Sequence, residues 1–355
     1  MARYRVGIIA CGSIAGAHAR GWRAVADDVE LAAIADTNEE ARTVFGEKWG
    51  VPPEKRYADF RQMLDTEKLD IVSVASWHTQ HAPMTIAAAA RKPKLILCEK
   101  PMATSLGDAD DMITACKRNG VKLAIGHMRR FYSGWEIARQ LVADGAIGKP
   151  RRVWSTVLEG LLNWGTHTID GMRFVLGDPK PEWVLGALER KTDRYERATR
   201  IEDACAGLIG FAGGIEALVE SDLTDWGSIN FQIVGSDGVL DVDENNVRLM
   251  NAETGGWRTL EFEKNDPFAG QARGIVDWLD GKVEDYRGEA TKARPTVEIM
   301  MALYESARRH EVIRMPLKTR VYPLDLLVES GHLPVEQPGR YDIRSFLVRG
   351  EQMTW

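Results

Sequence analysis

Short apolar runs alternate with amphipathic stretches through the first third of the chain. Arg3–Ala10, Leu31–Asp36, Asp70–Ala75, Leu95–Cys98 and Lys122–Ile125 are dominated by apolar and β-branched residues. Runs of that length without polar alternation predict strands buried on both faces. Between them, Ile14–Ala26, Glu39–Trp49, His81–Arg91 and Ser105–Asn119 carry apolar residues at helical spacing. The alternation predicts βαβ units. Right-handed crossovers then give an α/β domain over residues 1–125 with a doubly wound parallel sheet, the Rossmann arrangement.

The rhythm changes after residue 125. Phe131–Asp144 reads as a helix, Arg151–Glu159 as a strand and His167–Leu176 as a helix. Trp183 to Phe262 is mostly strand-like, with turns at Ala212-Gly213-Gly214, Ser236-Asp237-Gly238 and Gly255-Gly256. Strands joined by short turns pair antiparallel. Two helices follow, Phe268–Leu279 and Pro295–His310. Residues 126–355 are thus expected to form an α+β domain. The tail, Leu317–Trp355, is rich in Pro, Gly and charge. It is expected to wrap over the body or reach a neighbouring subunit.

Length and charge narrow the possibilities. At roughly 100–200 residues per domain, 355 residues suit two domains. A net charge of −6 argues against a nucleic-acid partner, which needs clustered Lys and Arg. No run of 18 apolar residues is present, so no membrane span is expected. The first 19 residues resemble a secretory signal, but Gly12 and Ser13 break the apolar run. Cleavage near Ala19 would also delete the first strand of a complete βαβ unit, so the segment is read as structure. Cys11, Cys98, Cys116 and Cys205 form no C-x-x-C pair and are expected to be buried, reduced thiols in a cytoplasmic protein.

The turn after the first strand reads Ala10-Cys11-Gly12-Ser13-Ile14-Ala15. This is a G-x-G-x-x-G/A fingerprint with alanine in place of its first glycine. Gly12 lets the backbone approach a pyrophosphate, and the amides of Ser13 and Ile14 open a helix that favours negative charge. Asp36 ends the second strand, 24 residues after Gly12, near the expected spacing of about 20. A carboxylate there accepts hydrogen bonds from the ribose 2′-hydroxyl and repels a 2′-phosphate. No Arg follows directly, so NAD is favoured over NADP.

Glu99-Lys100-Pro101 resembles the E-K-P motif of the Gfo/Idh/MocA family, which includes glucose–fructose oxidoreductase and inositol dehydrogenase. Gly7–Ala15, Val74–His81, Gly126–Phe131, Gly165–Asp170, Val234–Leu240 and Ala302–Arg308 match in the same order. The resemblance implies a second domain built on a large, open, mostly antiparallel sheet, through which members commonly pair as homodimers or homotetramers. It implies oxidation or reduction of a sugar, cyclitol or related polyol with a nicotinamide cofactor. It places Lys100 and His167 at the substrate. On the cofactor side it adds Ser76, Trp77, His81 and Glu99 to Ala10, Gly12, Ser13, Ile14 and Asp36.

The residue chemistry agrees. Lys100 follows a parallel strand at its carboxyl end, where open α/β sheets bind ligands. An ammonium there can stabilise an alkoxide, and a nearby cofactor cation would lower its pKa. His167 is the expected general base. Asp170 is three residues on and can share its helix face. A metal site is not expected, for no third ligand is apparent. Many members of the family carry Asp where this chain has Asn163, which can orient an imidazole but cannot stabilise its cation by charge, so a weaker base, or a larger share of the proton work for Lys100, is expected. Many also carry Pro where this chain has Trp77. The short link Glu159–Asn163 suggests an open pocket. Trp77, Trp154 and Trp164 are candidates to stack on a sugar ring. Arg130, His81 and His78 are candidates for further ligand contact, His78 being nearest the cleft edge. Two other readings stay open: a glycoside hydrolase that uses NAD for transient oxidation and elimination, and an NAD-binding sensor without catalysis.

Overall fold

The computed structural model describes residues 3–344. Six strands form the first sheet: β1 (Tyr4–Ile9), β2 (Val29–Ala35), β3 (Arg56–Tyr57), β4 (Ile71–Val74), β5 (Leu95–Cys98) and β6 (Lys122–Ile125). Helices α1 (Ser13–Arg23), α2 (Glu39–Trp49), α3 (Phe60–Thr66), α4 (His81–Ala89) and α5 (Leu106–Asn119) connect them. The order is β3-β2-β1-β4-β5-β6, with every pair parallel. β4 and β5 are buried at every residue, as the unbroken apolar runs predict for strands covered on both faces. The chain runs from β1 outward to β2, then crosses back to β4 on the other side. The loops after β1 and β4 therefore part at their carboxyl ends and leave a crevice. β3 and α3 escaped the sequence reading because two and seven residues are too short to show a period.

The chain continues through α6 (Ser133–Ala143), β7 (Pro150–Val157), α7 (Thr166–Val175), β8 (Pro181–Glu189), β9 (Thr192–Glu196) and β10 (Thr199–Arg200). Next come β11 (Ala204–Phe211), β12 (Ile215–Ser221), β13 (Phe231–Gly235), β14 (Gly238–Val242), β15 (Val247–Asn251) and β16 (Arg258–Thr259). The last elements are α8 (Pro267–Leu279), α9 (Ala290–Arg309), β17 (Ile313–Arg314), α10 (Pro323–Glu329) and β18 (Gln337–Asp342). Nine of these strands make the second sheet, β16-β15-β14-β13-β7-β12-β11-β8-β17, antiparallel except where β7 meets β12. α9 covers one face so closely that a Cβ at Gly186 would lie 2.5 Å from the Leu303 carbonyl oxygen. α8 turns back to the first sheet, where Ile275, Val276 and Trp278 pack in one cluster with Val6, Ile8 and Trp22.

The described part of the tail folds onto its own chain. β18 pairs parallel with β9, making a small sheet β10-β9-β18, and α10 packs beside it. Residues 345–355 of the expected wrapping segment lie outside the described residues.

The other face of the nine-stranded sheet is open. Leu185, Leu208, Leu218 and Trp154 stand in one cross-strand row on it. Trp154 is therefore not in the cleft. Val153 points into the core, so the two-residue period of β7 sends Trp154 outward. There it is 42% exposed, donates to Glu220 at 2.7 Å and packs edge-on against Trp226. Among the described residues no helix is long and apolar enough to cross a membrane.

Candidate active site

A cleft of about 440 Å³ opens at the carboxyl ends of β1, β2 and β4, and Ala10, Gly12, Asp36, Ser76 and Trp77 line it. Ala10 adopts a left-handed conformation, φ +74°, at the position where the fingerprint has glycine. A Cβ in that region costs roughly 1–2 kcal/mol, so the turn is kept at the expense of local strain. Gly12 caps α1 without a side-chain cap bond, and a Cβ built on it meets nothing within 4 Å. The first-turn amides of Ser13 and Ile14 thus begin a helix whose N-terminal end faces open space. Asp36 is tied to this turn: its carboxylate accepts from the Cys11 N–H at 2.7 Å and the Asn38 N–H at 2.8 Å. An open backbone cradle, a helix start and a fixed carboxylate suit a dinucleotide. The amides would hold its phosphates and Asp36 its adenosine ribose.

A second group of side chains is built after β5, outside the residues that line the cleft. Glu99 is buried, with Oε1 2.9 Å from His18 Nε2, and Oε2 accepts the Lys100 backbone N–H at 3.0 Å. Burial opposes ionisation of Glu99, but the bond from His18 and the charge of Lys100 hold its carboxyl below the usual range. Gly126 must lack a side chain, since its Cβ would fall 2.4 Å from Glu99 Oε1. Lys100 Nζ donates to Asn163 twice, to Oδ1 at 3.1 Å and to the backbone oxygen at 3.2 Å. Burial pushes the Lys100 pKa down to about 8. Arg197 and Arg129 push the same way, against Glu99 and Glu196.

His167 lies in the first turn of α7, buried. Burial holds its pKa well below 6.5, and Lys100, Arg129 and His127 add to the effect. Burial thus favours its neutral form in the ligand-free protein.

Four further expectations change. Asn163, in a π-helical turn over Leu161–Gly165, spends its carboxamide on Lys100 and, at 3.3 Å, on Glu159, rather than on His167. Arg130 is no ligand contact: it is buried and makes paired bonds of 2.7 and 2.8 Å to Asp170 and of 2.8 and 3.1 Å to Asp178. Asp170 in turn also meets His127 at 2.7 Å, so it does not serve His167. His81 is fully buried, with its ring nitrogens 2.8 Å from the Pro101 oxygen and 3.0 Å from the Ser76 oxygen. Burial lowers its pKa to about 4, so it braces the cleft wall as a neutral ring. Trp164 is half-buried and packs on the core, whereas Trp77 does line the cleft.

The sequence reading missed His18, Glu196 and Arg197. His18 carried a faint signal, a polar residue on the buried face of a helix that must find a partner. His78 is not at an open edge but buried, 3.0 Å from Glu196 and 3.2 Å from an Arg197 nitrogen.

The neutrality of Asn163 matters to Lys100. Asn163→Asp would put a carboxylate at the 3.1 Å contact and favour the ammonium. The pH at which the Lys100 amine is freed is expected to move up by about one unit or more, and any rate that depends on it moves with it. An unchanged pH–rate profile would count against the contact.

A crevice at the switch point of a doubly wound sheet, with a small-residue turn, a helix start and a carboxylate on its wall, is the arrangement of dinucleotide-binding domains. Residues 4–127 match the model of the GFO_IDH_MocA oxidoreductase family, NAD-binding Rossmann fold, and residues 159–241 that of the GFO/IDH/MocA C-terminal domain. The chain is 30% identical over 259 residues to a myo-inositol 2-dehydrogenase of Thermotoga maritima, covering 69% of this chain and 76% of that protein. It is 28% identical over 240 residues to a D-apiose dehydrogenase of Paraburkholderia graminis, covering 61% of this chain and 60% of that protein. An oxidoreductase from Agrobacterium radiobacter, solved with NAD+, L-tartaric acid and magnesium, has the same fold. Its TM-score is 0.76 at 20% identity, over 88% of this chain and 98% of that one. The chain belongs to the Gfo/Idh/MocA family of NAD-binding oxidoreductases.

Proposed function

We propose that the protein oxidises a secondary hydroxyl of a sugar, cyclitol or related polyol, or reduces the matching ketone, with Lys100 as the proton-transfer group. The observation that carries this reading is Lys100 at the carboxyl end of β5, its Nζ held by Asn163 at 3.1 and 3.2 Å; burial pushes its pKa down to about 8. The named activities of the relatives support the substrate class. When bound, NAD supplies the acceptor for a hydride.

The chain's own residues do the rest. Lys100 as free amine takes the hydroxyl proton, and as ammonium it returns one in reduction. His167 stays neutral and offers a hydrogen bond to the reacting oxygen without competing for the proton. Glu99, braced by His18, fixes the backbone of Lys100, and Asn163 fixes its Nζ. A panel of sugars, cyclitols and polyols with NAD and NADP, read by absorbance of the reduced cofactor, tests the proposal. NADH formed one-for-one with a carbonyl product supports it. Glycosidic cleavage without net NADH, or no turnover with any member, overturns it.

Asp36 sets the cofactor preference in this reading. Asp36→Ser is expected to raise kcat/KM with NADP relative to NAD by about tenfold or more, because the repelling carboxylate is gone. The open sheet face, with Leu185, Leu218 and Trp154 exposed in one row, is the surface through which copies of the chain would pair. The four cysteines are buried thiols outside any disulfide, which fits a reducing, cytoplasmic compartment.

A further inference from the structure

β9 and β10 are joined by a two-residue turn, Arg197-Ala198, with both residues in the left-handed region at φ +48° and +61°. Such turns favour Asn and Gly, so an Arg-Ala pair needs outside support. The support comes from the end of the chain. Asp342 in β18 accepts the Arg197 N–H at 3.2 Å and the Ala198 N–H at 2.8 Å, one on each carboxylate oxygen. Held this way, Ala198 lines the dinucleotide cleft. The Arg197 guanidinium meets His78 Nε2 at 3.2 Å, contacts the Glu196 carboxylate and lies 3.5 Å from Asn163 Oδ1. That same Oδ1 accepts from Lys100 at 3.1 Å. Two residues beyond Asp342, Arg344 pairs with Glu159, which holds the other end of the Asn163 carboxamide.

We infer that Arg197 is a positioning residue of the Lys100 centre, and that the C-terminal strand holds it in place through Asp342. The inference rests on the reading of Lys100 given above and extends it: the active site is completed by the last described strand of the chain. The groups facing Lys100 come from several elements. Glu99 precedes it, Arg129 comes from the turn after β6, His167 from α7, His78 from the turn after β4, and Glu196 with Arg197 from β9 and its turn. Among the cations facing Lys100, Arg197 opposes its ammonium more than Arg129 does. Without it, Glu196 would face Lys100 less opposed and favour the ammonium.

The test reads Lys100 directly in the ligand-free, full-length protein. Its acylation by acetic anhydride is followed across pH by mass spectrometry of the labelled peptide. In the unaltered protein reactivity should rise through a pKa of about 8. In Arg197→Met the midpoint should move up by about one unit, and Arg197→Lys should restore it. Asp342→Ala should move it in the same direction by less, and it decides the matter if Arg197→Met does not fold. An unmoved midpoint in Arg197→Met overturns the inference, and an unmoved midpoint in Asp342→Ala overturns the part of the strand. A role in stability alone would lower the melting temperature and leave the midpoint in place. The labelling needs no substrate, so failure of the proposed hydride reaction would not be mistaken for failure here.

Discussion

Replacing Lys100 by methionine is expected to lower kcat by about 10²- to 10⁴-fold, the usual contribution of a positioned acid–base group, with little change in NAD affinity. Methionine keeps most of the side chain's length and apolar bulk, so the cleft wall stays filled. What it removes is an ammonium whose pKa burial brings down to about 8. In the proposed scheme His167 does not take over, since burial and then the neighbouring cations lower its pKa. The residual activity of the variant should therefore lose the rise through pH 8 seen with the lysine. Retained NAD affinity is expected because the nucleotide would rest on Gly12, the start of α1 and Asp36, which the change leaves alone. Steady-state kinetics across pH, with cofactor binding measured separately by calorimetry, checks both halves. A variant with near-normal kcat would remove Lys100 from the chemistry.

Arg130→Met is expected to destabilise the fold by about 3–5 kcal/mol, because it orphans a buried charge. Arg130 links three parts of the chain: its own turn after β6, Asp170 on α7 and Asp178 beyond it, with a further bond of 3.2 Å to the Arg287 carbonyl oxygen. Burial opposes ionisation of Asp170, but Arg130 and His127 hold its carboxyl far below the usual carboxylate range. That stabilisation is present above the carboxyl's unfolded pKa and fades only as pH falls through the depressed folded value. The loss in Arg130→Met should accordingly be full at neutral pH. In the double variant Arg130→Met/Asp170→Asn the buried carboxylate is gone as well, so the cost should be clearly smaller than the single change. Denaturant unfolding of the three proteins measures this. Equal losses in the single and double variants would mean that lost packing, not the stranded charge, sets the cost.

The parts of the fold that were legible in the sequence are those with a long enough period. Glu39–Trp49, Leu95–Cys98 and Lys122–Ile125 fall where the apolar pattern puts them. The turn at Ala10–Ala15 and the carboxylate at Asp36 were legible too, because backbone approach and ribose binding demand particular residue types at a set spacing. Side-chain partners across the fold were not. Arg130 and Asp170 are 40 residues apart and pair only through tertiary contact. Nothing in a local pattern separates an arginine aimed at a ligand from one buried against two carboxylates. The family resemblance sets Asn163 beside the imidazole of His167, whereas a π-helical turn puts its carboxamide on Lys100. Trp154 was a failure of a different kind, since strand parity with Val153 already argued for the outer face. Arg197 left no trace at all: a charged residue in a hairpin reads as solvated until Asp342 is seen to hold the turn against the site.

The most direct measurement uses whichever alcohol turns over best, carrying deuterium at the carbinol carbon. After turnover with NAD+, mass spectrometry of the recovered reduced cofactor should show one deuterium on its nicotinamide ring for each carbonyl formed. Reduced cofactor without that label, or carbonyl formed with no reduced cofactor, would contradict direct hydride transfer beside Lys100.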